Sequence, residues 1–177
     1  TQVQINECLV DYAKQGKVVL RLKGGDPFIF GRGGEEAEYL AKNNISYEII
    51  PGVNAADGCA AYLGIPLTHR GIASGVRFIT GHQQKGEAMM LDWQSLASQN
   101  TTLVVYMGLT HLEQISKNLI EHGMPKDFPV VAIQDGTTNK EKKIFSDLEN
   151  IAKEVLKNDL SPPTLIIIGR VVSLAKK

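Results

Sequence analysis

Residues 18–36 read Val18-Val19-Leu20-Arg21-Leu22-Lys23-Gly24-Gly25-Asp26-Pro27-Phe28-Ile29-Phe30-Gly31-Arg32-Gly33-Gly34-Glu35-Glu36. The first five residues, apolar around one arginine, have the composition of a short buried strand. Glycines crowd its exit. Glu35 and Glu36 then open a helix through Ala41, as suits the positive end of a helix dipole. A strand, a glycine-rich loop and a helix in that order form the working unit of an α/β fold, and ligands bind such loops at the carboxyl ends of strands.

The pattern repeats in both directions. Upstream, Val3, Ile5, Cys8, Leu9 and Tyr12 fall at helical spacing, and Gly16 ends the run. Downstream, Tyr47–Ile50 reads as a second strand, closed by Pro51-Gly52. Asn54 stands as N-cap of a helix through Leu63, with Gly64 as its stop. Further strands are expected over Val76–Thr80, Thr102–Tyr106, Pro129–Gln134, Lys143–Phe145 and Thr164–Ile168. Helices are expected from Thr110 to about His122 and over Leu148–Leu156, with Val171–Leu174 as a short tail. Such alternation predicts parallel or mixed sheets covered by helices. The stretch Thr68–Gly75 has no periodicity and marks a boundary between two α/β domains, residues 1–72 and 73–177. The chain opens on Thr1 inside an amphipathic helix, where an α/β unit would first have a strand, so the natural protein is expected to continue upstream.

Composition narrows the function classes. The 177 residues carry 19 Lys+Arg against 19 Asp+Glu. Residues 1–72 hold 7 basic and 8 acidic residues, and 73–177 hold 12 and 11. No basic block marks a dedicated nucleic-acid binder. The longest apolar runs, five residues as in Leu103–Met107, are far short of the roughly 18 residues of a membrane span. Cys8 and Cys59 form no CxxC pair, which is simplest for a reduced cytoplasmic protein.

The loops suggest which ligand is taken. Gly24 and Gly25 let a ligand approach the backbone without a Cβ in the way. The run lacks the Gly-Lys-Ser/Thr ending of a P-loop and does not match G-x-G-x-x-G. A phosphate at this helix start would face Glu35 and Glu36, so the loop favours a ligand without phosphates there. Asp26 can accept from a hydroxyl or amine, or sit near a cation; an ordinary Asp-Pro turn is the alternative. Ala55, Ala56, Gly58, Ala60 and Ala61 make a slim helix, suited to close packing or to a flat ligand. Met107-Gly108 and Asp135-Gly136 close two later strands; from the residues alone a core Met and an ordinary turn are the better reading there. His69, His82 and His111 have no metal-ligand spacing, so no metal is expected.

Together, the runs Val19–Glu36, Pro51–Arg70, Ser74–His82 and Val104–Leu109 closely resemble the tetrapyrrole methylase family, in its uroporphyrinogen-III C-methyltransferase branch. The resemblance covers nearly the whole chain, without the family's N-terminal segment. It implies two α/β domains with the cofactor in the cleft between them. It also implies an S-adenosylmethionine-dependent enzyme that methylates uroporphyrinogen III at C2 and C7 to precorrin-2, in the siroheme and cobalamin branch. Carried over by position, the cofactor contacts are Gly24, Gly25, Asp26, Ile29, Asn54, Ala55, Met107 and Gly136. The family commonly has Thr where this chain has Asn54. A cytoplasmic homodimer is implied, acting on a small-molecule tetrapyrrole without nucleic acid or membrane. The family's acid/base residues fall in the segment this chain lacks, so no catalytic residue is assigned. Arg21 and Arg32 are the first candidates for the substrate's carboxylates, since guanidinium groups pair carboxylates bidentately. Other readings are a precorrin methyltransferase, the diphthine or ribosomal-RNA branches, and a non-catalytic S-adenosylmethionine-binding fragment.

Overall fold

The structure is a computed structural model that describes residues 1–81 and 90–176; His82 lies outside the described residues. The chain forms two compact units, Thr1–Asn54 and Ala55–Lys177. No helix among the described residues is long and apolar enough to cross a membrane.

The first unit carries α1 (Gln2–Lys14) and α2 (Gly33–Lys42). Thr1 caps α1: its side chain accepts the Gln4 N–H, and the Gln4 side chain accepts from the Thr1 amine at 2.8 Å. The two expected strands are not strands here. Residues 18–22 and 47–50 have no regular secondary structure. Val18, Leu20, Leu22 and Ile50 are exposed. A strand is defined by its ladder, and neither run pairs with a neighbour among the described residues. Their apolar composition is that of strands, but composition cannot supply the partner.

The second unit is α/β throughout. Its helices are α3 (Ala55–Tyr62), α4 (Trp93–Leu96), α5 (Leu112–Glu121) and α6 (Ile151–Lys157). Its strands are β1 (Gly75–Thr80), β2 (Thr101–Tyr106), β3 (Pro129–Gln134), β4 (Lys142–Asp147) and β5 (Thr164–Ile168). Short 3-10 turns cover Leu109–His111 and Arg170–Leu174. The sequence missed α4, a single turn capped by Asp92.

The sheet order is β1-β2-β5-β3-β4. β1 and β2 are parallel, and every other pair is antiparallel, so the sheet is mixed. Leu103, Ile168 and Val130 lie side by side, as do Val105, Ile166 and Ala132. These six face α4, α5 and α6, packing against Leu96, Leu112, Ile115, Leu119, Ile151 and Val155. Val104, Ile167 and Val131 alternate to the other face, against Ala56, Cys59 and Ala60 of α3 and against Val171 and Val172. Both faces of the central strands are buried, which explains their unbroken β-branched runs. The small residues of α3 let its backbone lie close to the sheet.

Ile166 is fully buried in the middle strand. Ile166→Ala is expected to cost about 2–5 kcal/mol, read as a lower urea midpoint at unchanged m-value.

Candidate functional site

In the first unit the two loops that the sequence singled out are stitched together by Asp26. One carboxylate oxygen accepts the Phe28 N–H at 2.9 Å, which turns the chain at Pro27. The other accepts the Gly52 N–H at 3.1 Å, across 26 residues. The bond from Gly52, then that from Phe28, holds the Asp26 carboxyl below the usual carboxylate range. The loops approach so closely that a Cβ on Gly52 would lie 2.7 Å from the Gly25 carbonyl oxygen. Gly24 differs: a Cβ there would meet nothing within 4 Å among the described residues. Ile29 is half-buried, and Asn54 is buried immediately before α3.

Glu36 is the polar centre of this unit, a role that the sequence reading missed. It is 5% exposed. Its carboxylate receives Gln2 Nε2 at 3.1 Å from α1, Arg21 Nε at 3.2 Å and Lys23 Nζ at 3.0 Å. Burial pushes this carboxyl up, but the bonds from Gln2, Lys23 and Arg21 and the charge of Lys23 outweigh it, so its pKa is lowered. Arg21, a candidate substrate contact, is thereby held inward, and its Nη1 also donates to the Leu22 carbonyl at 2.9 Å. Arg32 makes a two-pronged pair with Glu35, at 2.9 and 2.7 Å, and stays half-exposed.

In the second unit the strand directions collect the other candidates. β5 runs opposite to both β2 and β3, so β1, β2 and β3 all point the same way. Their exits, at Gly81, Met107 and Asp135-Gly136, therefore share one edge of the sheet. Met107 is half-exposed and leaves β2 with φ 52°, and Asp135 and Thr137 leave β3 with φ 48° and 67°. A left-handed methionine costs about 1 kcal/mol or more, so the surrounding structure must hold it there. The start of α3 reaches the same edge. The Tyr106 hydroxyl accepts the Ala56 N–H at 3.0 Å. The Cys59 sulfur occupies the place where a Cβ on Gly136 would fall. Burial raises both the Cys59 thiol and the Tyr106 hydroxyl, so both are neutral packing groups rather than nucleophiles. Ala55, Met107 and Gly136 are thus gathered at one edge. Gly24, Gly25, Asp26, Ile29 and Asn54 belong to the first unit. Among the described residues no group of three or more His, Cys, Asp or Glu is placed to hold a metal.

The second unit has a mixed sheet whose strands β1, β2 and β3 exit at one edge, and the first unit has a glycine-rich loop before a helix; both are features at which α/β proteins bind small molecules. Residues 1–152 match the model of the tetrapyrrole (corrin/porphyrin) methylases, and the chain belongs to that family. It is 48% identical over 172 residues to the uroporphyrinogen-III C-methyltransferase of Bacillus subtilis, covering 97% of this chain and 67% of that protein. It is 53% identical over 176 residues to the siroheme synthase of Pseudomonas fluorescens, covering 99% of this chain but only 38% of that protein. The chain therefore spans well under half of that relative. Among solved structures it is similar to uroporphyrin-III C-methyl transferase from Thermus thermophilus complexed with S-adenyl homocysteine. There the TM-score is 0.83 at 36% identity, over 98% of this chain and 75% of that one.

The Glu36 cluster makes the first unit acid-sensitive. Its folded pKa lies below the unfolded value of about 4.3, so its contribution is complete above that pH and fades as pH falls through the folded value. Thermal melts of wild type should lose stability below about pH 4. Glu36→Gln should melt lower at pH 7, by about 1–3 kcal/mol, and show a shallower acid limb.

Proposed function

We propose that the protein is an S-adenosylmethionine-dependent C-methyltransferase acting on uroporphyrinogen III in siroheme or cobalamin synthesis. The observation that carries the reading is the match to the Bacillus subtilis enzyme, since both chains are largely covered at 48% identity. The geometry supports it. A Cβ at position 24 would meet nothing within 4 Å among the described residues, which leaves room for a ligand to lie on the backbone there. Glu35 and Glu36 are engaged by Arg32 and by Arg21 and Lys23, which leaves no cation committed to a phosphate at the start of α2. An uncharged adenosine and a cationic sulfur compound suit such a loop.

The residues proposed to hold S-adenosylmethionine are Gly24, Gly25, Asp26, Ile29, Asn54, Ala55, Met107 and Gly136. When bound, it supplies a methyl group made electrophilic by the sulfonium. A nucleophilic ring carbon would take that methyl in line and leave a neutral thioether; that carbon already carries a side chain and no hydrogen, so the proton released to balance the step would come from elsewhere in the attacking ring system. The chain's part is alignment, which supplies much of the rate in such a transfer. The half-exposed thioether of Met107 offers a soft apolar surface for an aromatic ring. Arg32, exposed beside Glu35, can exchange that partner for a substrate carboxylate. Arg21 is a weaker donor, since Glu36 already holds it. A cytoplasmic homodimer that binds no nucleic acid remains part of this reading, supported by the balanced charge.

Calorimetry with S-adenosylhomocysteine should show one site per chain that ATP does not compete for; ATP competition without S-adenosylhomocysteine binding would overturn the reading. Arg32→Ala should weaken binding of the tetrapyrrole while S-adenosylhomocysteine affinity stays, and an equal loss of both would refute the substrate role. Met107→Gly relieves the left-handed backbone. It should keep the melting temperature of wild type yet lose S-adenosylhomocysteine affinity several-fold.

A further inference from the structure

Ala55, Met107 and Gly136 come from three elements, and two contacts set where α3 lies against the other two. At its first turn, the Ala56 N–H donates to Tyr106 Oη at 3.0 Å. Tyr106 ends β2 and immediately precedes Met107. One turn further along, the Cys59 sulfur nests on the Gly136 α-carbon at the exit of β3, with Ile133 Cγ2 closing the space from below at 3.0 Å from the same Cβ position. A polar tie to one strand and a steric seat on the next, three residues apart, fix both the height and the tilt of the helix.

Filling the core does not require the Tyr106 hydroxyl. The Tyr106 ring packs edge-on to Phe78, with centroids 6.0 Å apart, and a phenylalanine would fill that space equally well. Cys59 sits in a helix otherwise built of alanine and glycine on its packed side, and only at Gly136 does its sulfur meet a position that must lack a Cβ. Cys59 is thus the nearest obstacle to a side chain at position 136, with Ile133 next.

We propose that Tyr106 and Cys59 are positioning residues that seat the start of α3 on the exits of β2 and β3, and so place Ala55, Met107 and Gly136 for the cofactor. This rests on the cofactor reading above. It assigns Gly136 a packing reason that a direct ligand contact does not contain, and the two reasons separate under substitution.

The test is titration calorimetry with S-adenosylhomocysteine on the purified chain, with melting temperatures measured in parallel. Tyr106→Phe, which keeps the ring and removes one hydrogen bond, should raise Kd about five- to tenfold. Gly136→Ala should raise it further. The double variant Cys59→Ala/Gly136→Ala should return Kd to within about threefold of wild type, because the clash is gone. Val155→Ala, in the core on the opposite face, should lower the melting temperature and leave Kd unchanged. If Gly136→Ala loses affinity and Cys59→Ala does not restore it, the ligand itself requires the glycine and the role of Cys59 is refuted. If Tyr106→Phe melts lower with Kd unchanged, Tyr106 is structural only. A Gly136→Ala chain that fails to fold leaves both Tyr106→Phe and the double variant to decide. A wild-type chain that binds no S-adenosylhomocysteine removes the cofactor reading and this inference with it, whereas affinity in wild type with unaffected variants removes the inference alone.

Discussion

The reversal of β5 is the constraint on which the second unit depends. All five residues of this strand are buried, and it runs opposite to both neighbours. It can occupy the middle of the sheet only if both of its faces are covered, because each buried isoleucine is worth about 1.5–3 kcal/mol only when shielded from water. That requirement calls α5 and α6 to one face and α3 to the other. It also aligns β2 with β3, two places apart in the sheet. Chemistry gathered at one edge is therefore a consequence of how the apolar core closes.

The first unit is organised differently. It buries few large apolar side chains; Val10 and Ala37 are its buried hydrophobic residues among those described. Its fixed points are polar. Asp26 joins the two loops through backbone N–H groups, and Glu36 joins α1, residues 21–23 and α2. A buried carboxylate with two cations and an amide is favourable only when all partners are in place, since each missing partner leaves an uncompensated charge. Such a network specifies one arrangement sharply and contributes modest net stability, so local opening should be easier here than in the sheet of the second unit.

This difference explains what the sequence could reveal. Pro129–Gln134 and Thr164–Ile168 were legible to the residue, because strands buried on both faces write continuous β-branched runs. The helix expected from Thr110 to about His122 was legible in outline, and α5 runs over Leu112–Glu121 with Leu112, Ile115 and Leu119 buried. The runs 18–22 and 47–50 carry the same signal without the same outcome, since a ladder depends on a neighbour that a local pattern cannot name. The site divided in the same way. Gly24, Gly25 and Met107 stand at strand exits or glycine clusters that sequence alone marks. The bond from Gly52 to Asp26, the burial of Glu36 and the seat of Cys59 on Gly136 are long-range pairings between residues with ordinary local surroundings. A tyrosine ending an apolar strand was the one visible hint of Tyr106, because a buried hydroxyl needs a partner.

Glycine shows how far such hints go. The family resemblance places Gly24 and Gly136 in the same role, as cofactor contacts, although the residues alone read Gly136 as an ordinary turn. In the structure the room beside Gly24 stays open, and the room beside Gly136 is filled by a sulfur from the chain itself. Packing leaves the first position open and closes the second with a neighbour from the chain itself. Glycines with the same local surroundings are therefore not equivalent in packing. Packing, residue by residue, separates the two, because a Cβ built at each position either meets the protein or meets nothing.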